Sequence, residues 1–388
     1  MTKGSSTTLI HSGEGRSGGV APLTTPIFET TTYTFDSADA IRRYNEGASG
    51  HFLYSRYENP TVMSAEAKIA AVDGAERALL FGSGMAAAST LLMALLQPGD
   101  EVVCGAAVYG GTFHLLNELL ARFGVRPRFV ALDEFGRPDR LISDRTRLVW
   151  FESPTNPHLR CVDIGRVAAA CRARGVTSVI DNTFASPINQ RPLDMGVDLS
   201  MQSASKYLNG HSDVTAGVVS GRGDLVERVN LARRRLGGIL DPQAAYALGR
   251  ALKTLPLRVA RHNANGMAVA TAIEGHPNVA RVLYPGLASH PDHAIAAAQM
   301  RGFGGMVCLE VADGEAGACR AFDRLQIIKR AASLGGAESV CSLPFLTSHW
   351  GYSDADLAAA DITKGMMRLS IGLEDPEDLI ADLEQALA

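Results

Sequence analysis

Residues 201–214 read MQSASKYLNGHSDV. The segment joins an apolar run, LSMQSAS, to a lysine, an Asn-Gly turn and a histidine. Lys206 stands among small hydroxyl residues, with no other charge in LSMQSASKYLNG, so it is either a solvated surface residue or a working amine. The surrounding pattern bears on which. Upstream and downstream, short β-branched runs (EVVCG, RPRFVAL, RLVWFE, VTSVID, AGVVSG) alternate with Ala/Leu-rich segments such as GGTFHLLNELLARFG and DIGRVAAACRARG, which carry apolar residues at helical spacing. This alternation predicts an α/β fold with a mostly parallel sheet covered by helices. In such sheets ligands gather at the carboxyl ends of the strands, which is where Lys206 falls.

The chain has 388 residues, 46% of them hydrophobic, enough for a large core and more than one domain. Its 37 basic and 41 acidic residues leave a net charge of −4, which gives no electrostatic case for nucleic acid or an anionic membrane. Arg233, Arg234 and Arg235 are the one basic run and read as a solvated or ion-paired helix face. The six cysteines have no metal-ligand spacing and read as reduced, mostly buried thiols of a cytoplasmic protein. No apolar signal core stands at the N-terminus. The uncharged stretch 78–99 approaches the roughly 20 residues of a membrane span, but FGSG divides it into a strand, RALLF, and a helix, MAAASTLLMALL. Residues 1–60, including GGVAPLTTPIFETTTYTF, lack helical periodicity and read as an extended arm. A large domain follows over 61–248. A smaller α+β domain, with MVCLEV and MMRLSIGL as strands, covers 249–388. A long helix beginning at PQAAYALGRALKTLPLRVARHNANG connects the two.

Three further motifs lie at the same sheet edge. LLFGSGMAA places Gly82, Ser83, Gly84 and Met85 where a strand gives way to a helix. Backbone N–H groups there form either a phosphate site or a plain tight turn. VTSVIDNTFASP ends an apolar strand with Asp181, a carboxylate that is costly to bury unpaired. It reads as a helix N-cap, a metal ligand or the partner of a cationic ring nitrogen, and no His or carboxylate cluster supports the metal. WFESPTNP puts Glu152, Ser153 and Asn156 in a Pro-bracketed loop. Beside Lys206, the Ser203 and Ser205 hydroxyls suit a phosphate. A lysine held near cations in a low dielectric loses pKa and becomes nucleophilic. A Schiff-base lysine, an acid for a pyridinium nitrogen and a phosphate cup are together what pyridoxal 5′-phosphate (PLP) requires. A dinucleotide site is the rival reading, but FGSGM lacks the GxGxxG spacing. A binding protein without turnover would not need the full catalytic set.

Taken together, YSRYENPT, GSGMAA, VYGGT, ESPTNP, DNTFASP, SASKYLNGHSDV, SLGGAES and RLSIGLED resemble the Cys/Met-metabolism family of PLP-dependent enzymes, from about residue 20 to the C-terminus. The resemblance implies the aspartate aminotransferase-like fold (fold type I), with a seven-stranded sheet between helices. It implies that Lys206 holds PLP as a Schiff base and shuttles protons, that Asp181 binds the ring nitrogen, and that Tyr109 stacks on the ring. Ser83, Gly84, Met85, Ser203 and Ser205 would hold the phosphate. Tyr54 and Arg56 would reach the phosphate of a neighbouring subunit, within a homotetramer built as a dimer of dimers. Asn156, Ser333 and Arg368 would hold the substrate α-carboxylate; no metal is implied.

Within that family, the members that act on cystathionine usually carry charged residues at the positions of Leu53, His114 and Ala332. Their absence favours an apolar thioether tail, hence methionine γ-lyase chemistry. Cystathionine γ-lyase or γ-synthase and O-acylhomoserine sulfhydrylase are the alternatives. Gly111, where many methionine γ-lyases have Cys, is a departure. His114 reads as a distal acid/base or a plain helix residue, His211 as a loop-fixing residue, and SHWGYS (348–353) as a surface or interface loop.

Overall fold

The computed structural model describes residues 3–14, 21–47, 50–348, 350–351, 353–354, 357 and 361–388. Residues 1–2, 15–20 and 48–49 of the expected arm, and His349 and Tyr352 of SHWGYS, lie outside the described residues. Seven strands form the larger sheet: β1 (Arg77–Phe81), β2 (Glu101–Gly105), β3 (Arg126–Val130), β4 (Thr146–Glu152), β5 (Thr177–Asp181), β6 (Leu199–Ser203) and β7 (Gly217–Gly221). Their order is β1-β7-β6-β5-β4-β2-β3. β7 runs antiparallel to both its neighbours, and the other pairings are parallel.

The two-residue period of a strand explains the layers. Leu79 and Phe81 of β1 pack into one core cluster with Leu148 and Trp150 of β4, against helices Gly84–Leu95 and Gly223–Leu236. Ala78 and Leu80 point to the other face, toward helix Pro60–Asp73. On that face of β4, Val149 and Phe151 meet helix Ile164–Ala173. Strands buried on both sides carry near-continuous apolar runs, as a parallel sheet requires.

A second sheet of five strands follows: β8 (Val279–Leu283), β9 (Met306–Val311), β10 (Lys329–Arg330), β11 (Val340–Ser342) and β12 (Met366–Ser370), in the order β10-β11-β12-β9-β8. It packs against helices Leu255–Ile273, Gly314–Arg324 and Pro376–Leu387. No helix among the described residues is long and apolar enough to cross a membrane.

Two local expectations are corrected. The single long helix from Pro242 is two helices, Pro242–Leu252 and Leu255–Ile273. Pro256 has no N–H to donate and its ring clashes with the carbonyl four residues back, so the helix stops and restarts. The first 60 residues are not wholly extended, because helices Ser5–His11 and Ala38–Asn45 form there. Leu9 is fully buried. Lys68, only 2% exposed, donates to Leu9 O (3.2 Å), Ser12 O (2.6 Å) and Glu14 Oε1 (2.8 Å). Burial pushes the Glu14 carboxyl up, but hydrogen bonds from Lys68, Lys253 and Thr25 outweigh it and hold it at about 2. In the arginine run, Arg233 is buried and paired with Glu66 at 2.7 Å, and Arg234 pairs with Glu58 at 2.9 Å.

Candidate active site

The carboxyl ends of β4, β5 and β6 lie side by side, with Glu152 in register with Asp181 and Asp181 with Met201. Above them is a cavity of about 670 Å³. Eleven of the residues to which the resemblance gives a role line it: Ser83, Gly84, Met85, Tyr109, Asn156, Asp181, Ser203, Ser205, Lys206, Ser333 and Arg368. The last two come from the second sheet region, so the cavity is closed by both sheets.

Lys206 follows β6. Its Nζ donates to Ser333 Oγ at 2.6 Å. Burial, and then the positive charge of Arg368, hold the ammonium below its ordinary range. Ser333 has φ +88°, a left-handed backbone that a non-glycine residue adopts at a cost. Its carbonyl accepts from Arg368 Nη2 at 3.3 Å, and Arg368 Nη1 donates to Asn156 Oδ1 at 2.9 Å. Arg368, central in β12, is 8% exposed, and its buried Nε has no partner. A guanidinium so placed calls for an anion, and none of the described residues supplies one.

Asp181 Oδ1 accepts from Thr183 N–H at 3.0 Å, an Asx-type turn, so it does not cap the following helix, whose N-cap is Ala185. Burial raises the Asp181 carboxyl above its ordinary value against the hydrogen bonds of Thr183. Burial and then the Asp181 charge raise Glu152 further. No cation among the described residues offsets either acid. A buried carboxylate that faces this cavity with no cation paired to it fits the ring nitrogen of PLP.

At the other end, Ser83 caps helix Gly84–Leu95, its Oγ accepting from Ala86 N–H at 3.0 Å. The turn packs against β7 so closely that a Cβ at Gly217 would lie 2.1 Å from Ser83 O. A Cβ at Gly84 would lie 3.1 Å from that of Ser203. The N-terminal N–H groups of this helix thus face the β6 hydroxyls, an arrangement suited to phosphate. The Ser205 hydroxyl also accepts from Ala216 N–H (2.9 Å) and donates to Ala216 O (3.2 Å).

Tyr54 and Arg56 are not among the residues lining this cavity. Tyr54 is 38% exposed, and Arg56 donates to Arg234 O and stacks near Tyr57, 4.8 Å from its centroid. Of the three specificity positions, Ala332 lines the cavity and Leu53 and His114 do not. His114 Nδ1 lies 2.7 Å from Glu118 Oε1 on an exposed helix face. His211 Nδ1 donates to Asn209 O at 2.6 Å. Sequence reasoning gave no task to Thr183, whose Oγ1 accepts from Ser203 N–H at 2.8 Å and so ties β6 to β5. Its signal was the Asp-x-Thr spacing after an apolar strand. Phe184, Met201 and Leu334 also line the cavity; they lie within DNTFASP, MQSASKYLNGHSDV and SLGGAES but were given no task. Among the described residues no group of three or more His, Cys, Asp or Glu side chains is arranged for a metal ion.

An amine, an unpaired buried acid, a helix N-terminus and a guanidinium with an unused donor around one cavity are the parts that a PLP-dependent enzyme of amino acids requires. The family model for Cys/Met metabolism PLP-dependent enzymes matches residues 6–388, and the chain belongs to that family. It is 41% identical over 386 residues to L-methionine gamma-lyase from Pseudomonas putida, covering 99% of this chain and 97% of that one. It is also 41% identical over 382 residues to cystathionine gamma-synthase 1, chloroplastic, from Nicotiana tabacum, covering 97% and 71%. The crystal structure of metB from Corynebacterium glutamicum superposes with a TM-score of 0.93 at 37% identity, covering 100% of this chain and 98% of that one.

Proposed function

We propose that this protein is a carbon–sulfur lyase that acts first on methionine, releasing a thiol, ammonia and 2-oxobutanoate. The observation that carries the reading is the cavity's charge inventory. Among the described residues its acidic and basic lining consists of Glu152, Asp181, Lys206 and Arg368. Lys206, Asp181 and Arg368 are needed for the cofactor and the α-carboxylate, and Glu152 sits beside Asp181 at the sheet edge. None is left for the charged distal end of cystathionine, and an unpaired buried charge costs several kcal/mol. A methyl thioether has no such requirement.

Bound in this cavity, PLP supplies an electron sink that acidifies the C–H bonds next to the amino group. Asp181 keeps the ring nitrogen protonated. Lys206, with its ammonium destabilised, would hold the cofactor and would move protons at the substrate Cα and Cβ. Arg368 and Asn156, already joined at 2.9 Å, take the α-carboxylate. Tyr109, on the cavity wall, would help to hold the cofactor, and its phenol would give a proton to the departing sulfur. Ser83, Gly84, Met85, Ser203 and Ser205 hold the phosphate. Tyr54 and Arg56 serve the neighbouring subunit of a homotetramer built from two dimers, which accounts for their place outside their own cavity. The six cysteines, none in a disulfide, suit a cytoplasmic enzyme.

The similarity to cystathionine gamma-synthases favours a second reading, γ-replacement on an activated homoserine, with the sulfhydrylase reaction as its variant. A single assay separates them: 2-oxo acid release from methionine, cystathionine, homocysteine and O-acetylhomoserine, with and without added thiol. Methionine is expected to give the highest kcat/KM. Preference for cystathionine, or thiol-dependent replacement that outruns elimination, would reject the first reading.

A further inference from the structure

Glu152 is the ionisable residue of the cavity to which the proposed reaction gives no task. It ends β4, 7% exposed and in register with Asp181. Its Oε1 accepts from Tyr109 N–H at 2.7 Å. Tyr109 itself is exposed and begins helix Gly110–His114 without a side-chain cap. Its ring is wedged close to the next turn: a Cβ at Gly111 would lie 2.6 Å from Tyr109 Cε1 and 2.9 Å from Met85 Sδ. The Glu152 carboxyl is therefore the anchor of the segment that presents the phenol.

The groups around Glu152 come from three elements. β5 offers the Asp181 carboxyl, β2 offers the Cys104 thiol, and the Tyr109 segment offers one N–H. Lys206 and Arg368 line the same cavity, but neither pairs with it. Burial, and then the charge of Asp181, keep the Glu152 proton on well above the ordinary carboxylate range, and burial and Glu152 together push the Cys104 thiol up. Two adjacent carboxyls in a dry site do not both ionise readily.

We propose that Glu152 is a positioning residue that works as an uncharged acid: its oxygen anchors Tyr109 N–H and so sets the phenol over the cavity, and its neutrality leaves Asp181 as the anion facing the ring nitrogen. The inference rests on the PLP reading above. A glutamine at 152 reproduces both the acceptor and the neutrality, whereas an alanine reproduces the neutrality alone.

The test compares Glu152→Gln and Glu152→Ala with the wild-type protein after loading with PLP. The visible absorbance of the loaded Glu152→Gln protein is expected to titrate at the wild-type pH. Glu152→Ala is expected to lose about tenfold in kcat, the scale of one lost anchoring hydrogen bond, with KM little changed. Glutamine should recover most of that loss. A titration in Glu152→Gln displaced by about a unit or more, the signature of a removed charge, overturns the inference. So does a rate in Glu152→Gln as low as in Glu152→Ala. Either result leaves the PLP reading standing, because the loaded protein still absorbs. Wild-type protein with no visible absorbance after PLP addition overturns both.

Discussion

Arg368 holds Asn156 Oδ1 and the Ser333 carbonyl at 2.9 and 3.3 Å and keeps a third donor unused. That fork is fixed by β12, and a lysine ammonium cannot reproduce it. Arg368→Lys is expected to lower kcat/KM for methionine by about tenfold to a hundredfold, from charged hydrogen bonds of roughly 1.5–3 kcal/mol. The loss should fall mainly on KM, and steady-state kinetics checks it. At this scale much of the site was legible in the sequence. Lys206, Asp181 and Asn156 each stand just past an apolar run, so strand ends could be read without knowing the sheet order. Glu152 was visible only as a loop-edge acid. Its meaning depends on β4 lying beside β5 and on Tyr109 folding back over both, contacts that no spacing within ESPTNP encodes.

Helix Pro60–Asp73 ends in a carboxyl buried against β6 and β7. Asp73 accepts from Ser220 Oγ and sits 3.3 Å from Gln202 Nε2. Burial raises it to about 6, against hydrogen bonds and the Arg191 charge. A carboxyl raised in the fold stabilises most below its unfolded value near 3.8, and that contribution is lost as pH rises through about 6. Asp73→Asn removes the dependence. Its unfolding free energy from urea titration, relative to wild type, is expected to rise between pH 4 and pH 7, by up to roughly 3 kcal/mol for a shift of about two units. A constant difference across that range would contradict the assignment. The elements that escaped the sequence have physical reasons in common. β10 is two exposed residues, Lys329 and Arg330, and β8 exposes two of its five, so neither shows an apolar run. The helix expected over GGTFHLLNELLARFG is an α turn at Gly110–His114, a π turn at Leu115–Leu119 and a 3₁₀ turn at Leu120–Phe123, a change of period that alternation alone does not reveal.

At the scale of the molecule, both sheets build one cavity, and the arm, pinned through Lys68 and Glu14, carries Tyr54 and Arg56 elsewhere. If those two residues complete a neighbour's site, an Arg56→Ala subunit and a Lys206→Ala subunit fail in different sites. Unfolding and refolding the two together should restore activity toward about a quarter of wild type, since half the dimers are mixed and one site in two is intact. No restoration would mean that each subunit works alone. Whole-molecule organisation was the scale at which patterning spoke most clearly, because a parallel sheet forces the βα alternation that the sequence displays. The arm was read less well, since its short helices are stabilised by burial of Leu9 and by Lys68 rather than by periodicity. A covalent bond at one amine underlies the proposed chemistry, and borohydride reduction of the PLP-loaded protein followed by peptide mass spectrometry reads that bond itself. The reduced cofactor is expected on the peptide that contains Lys206; an adduct on another lysine, or none, would contradict it.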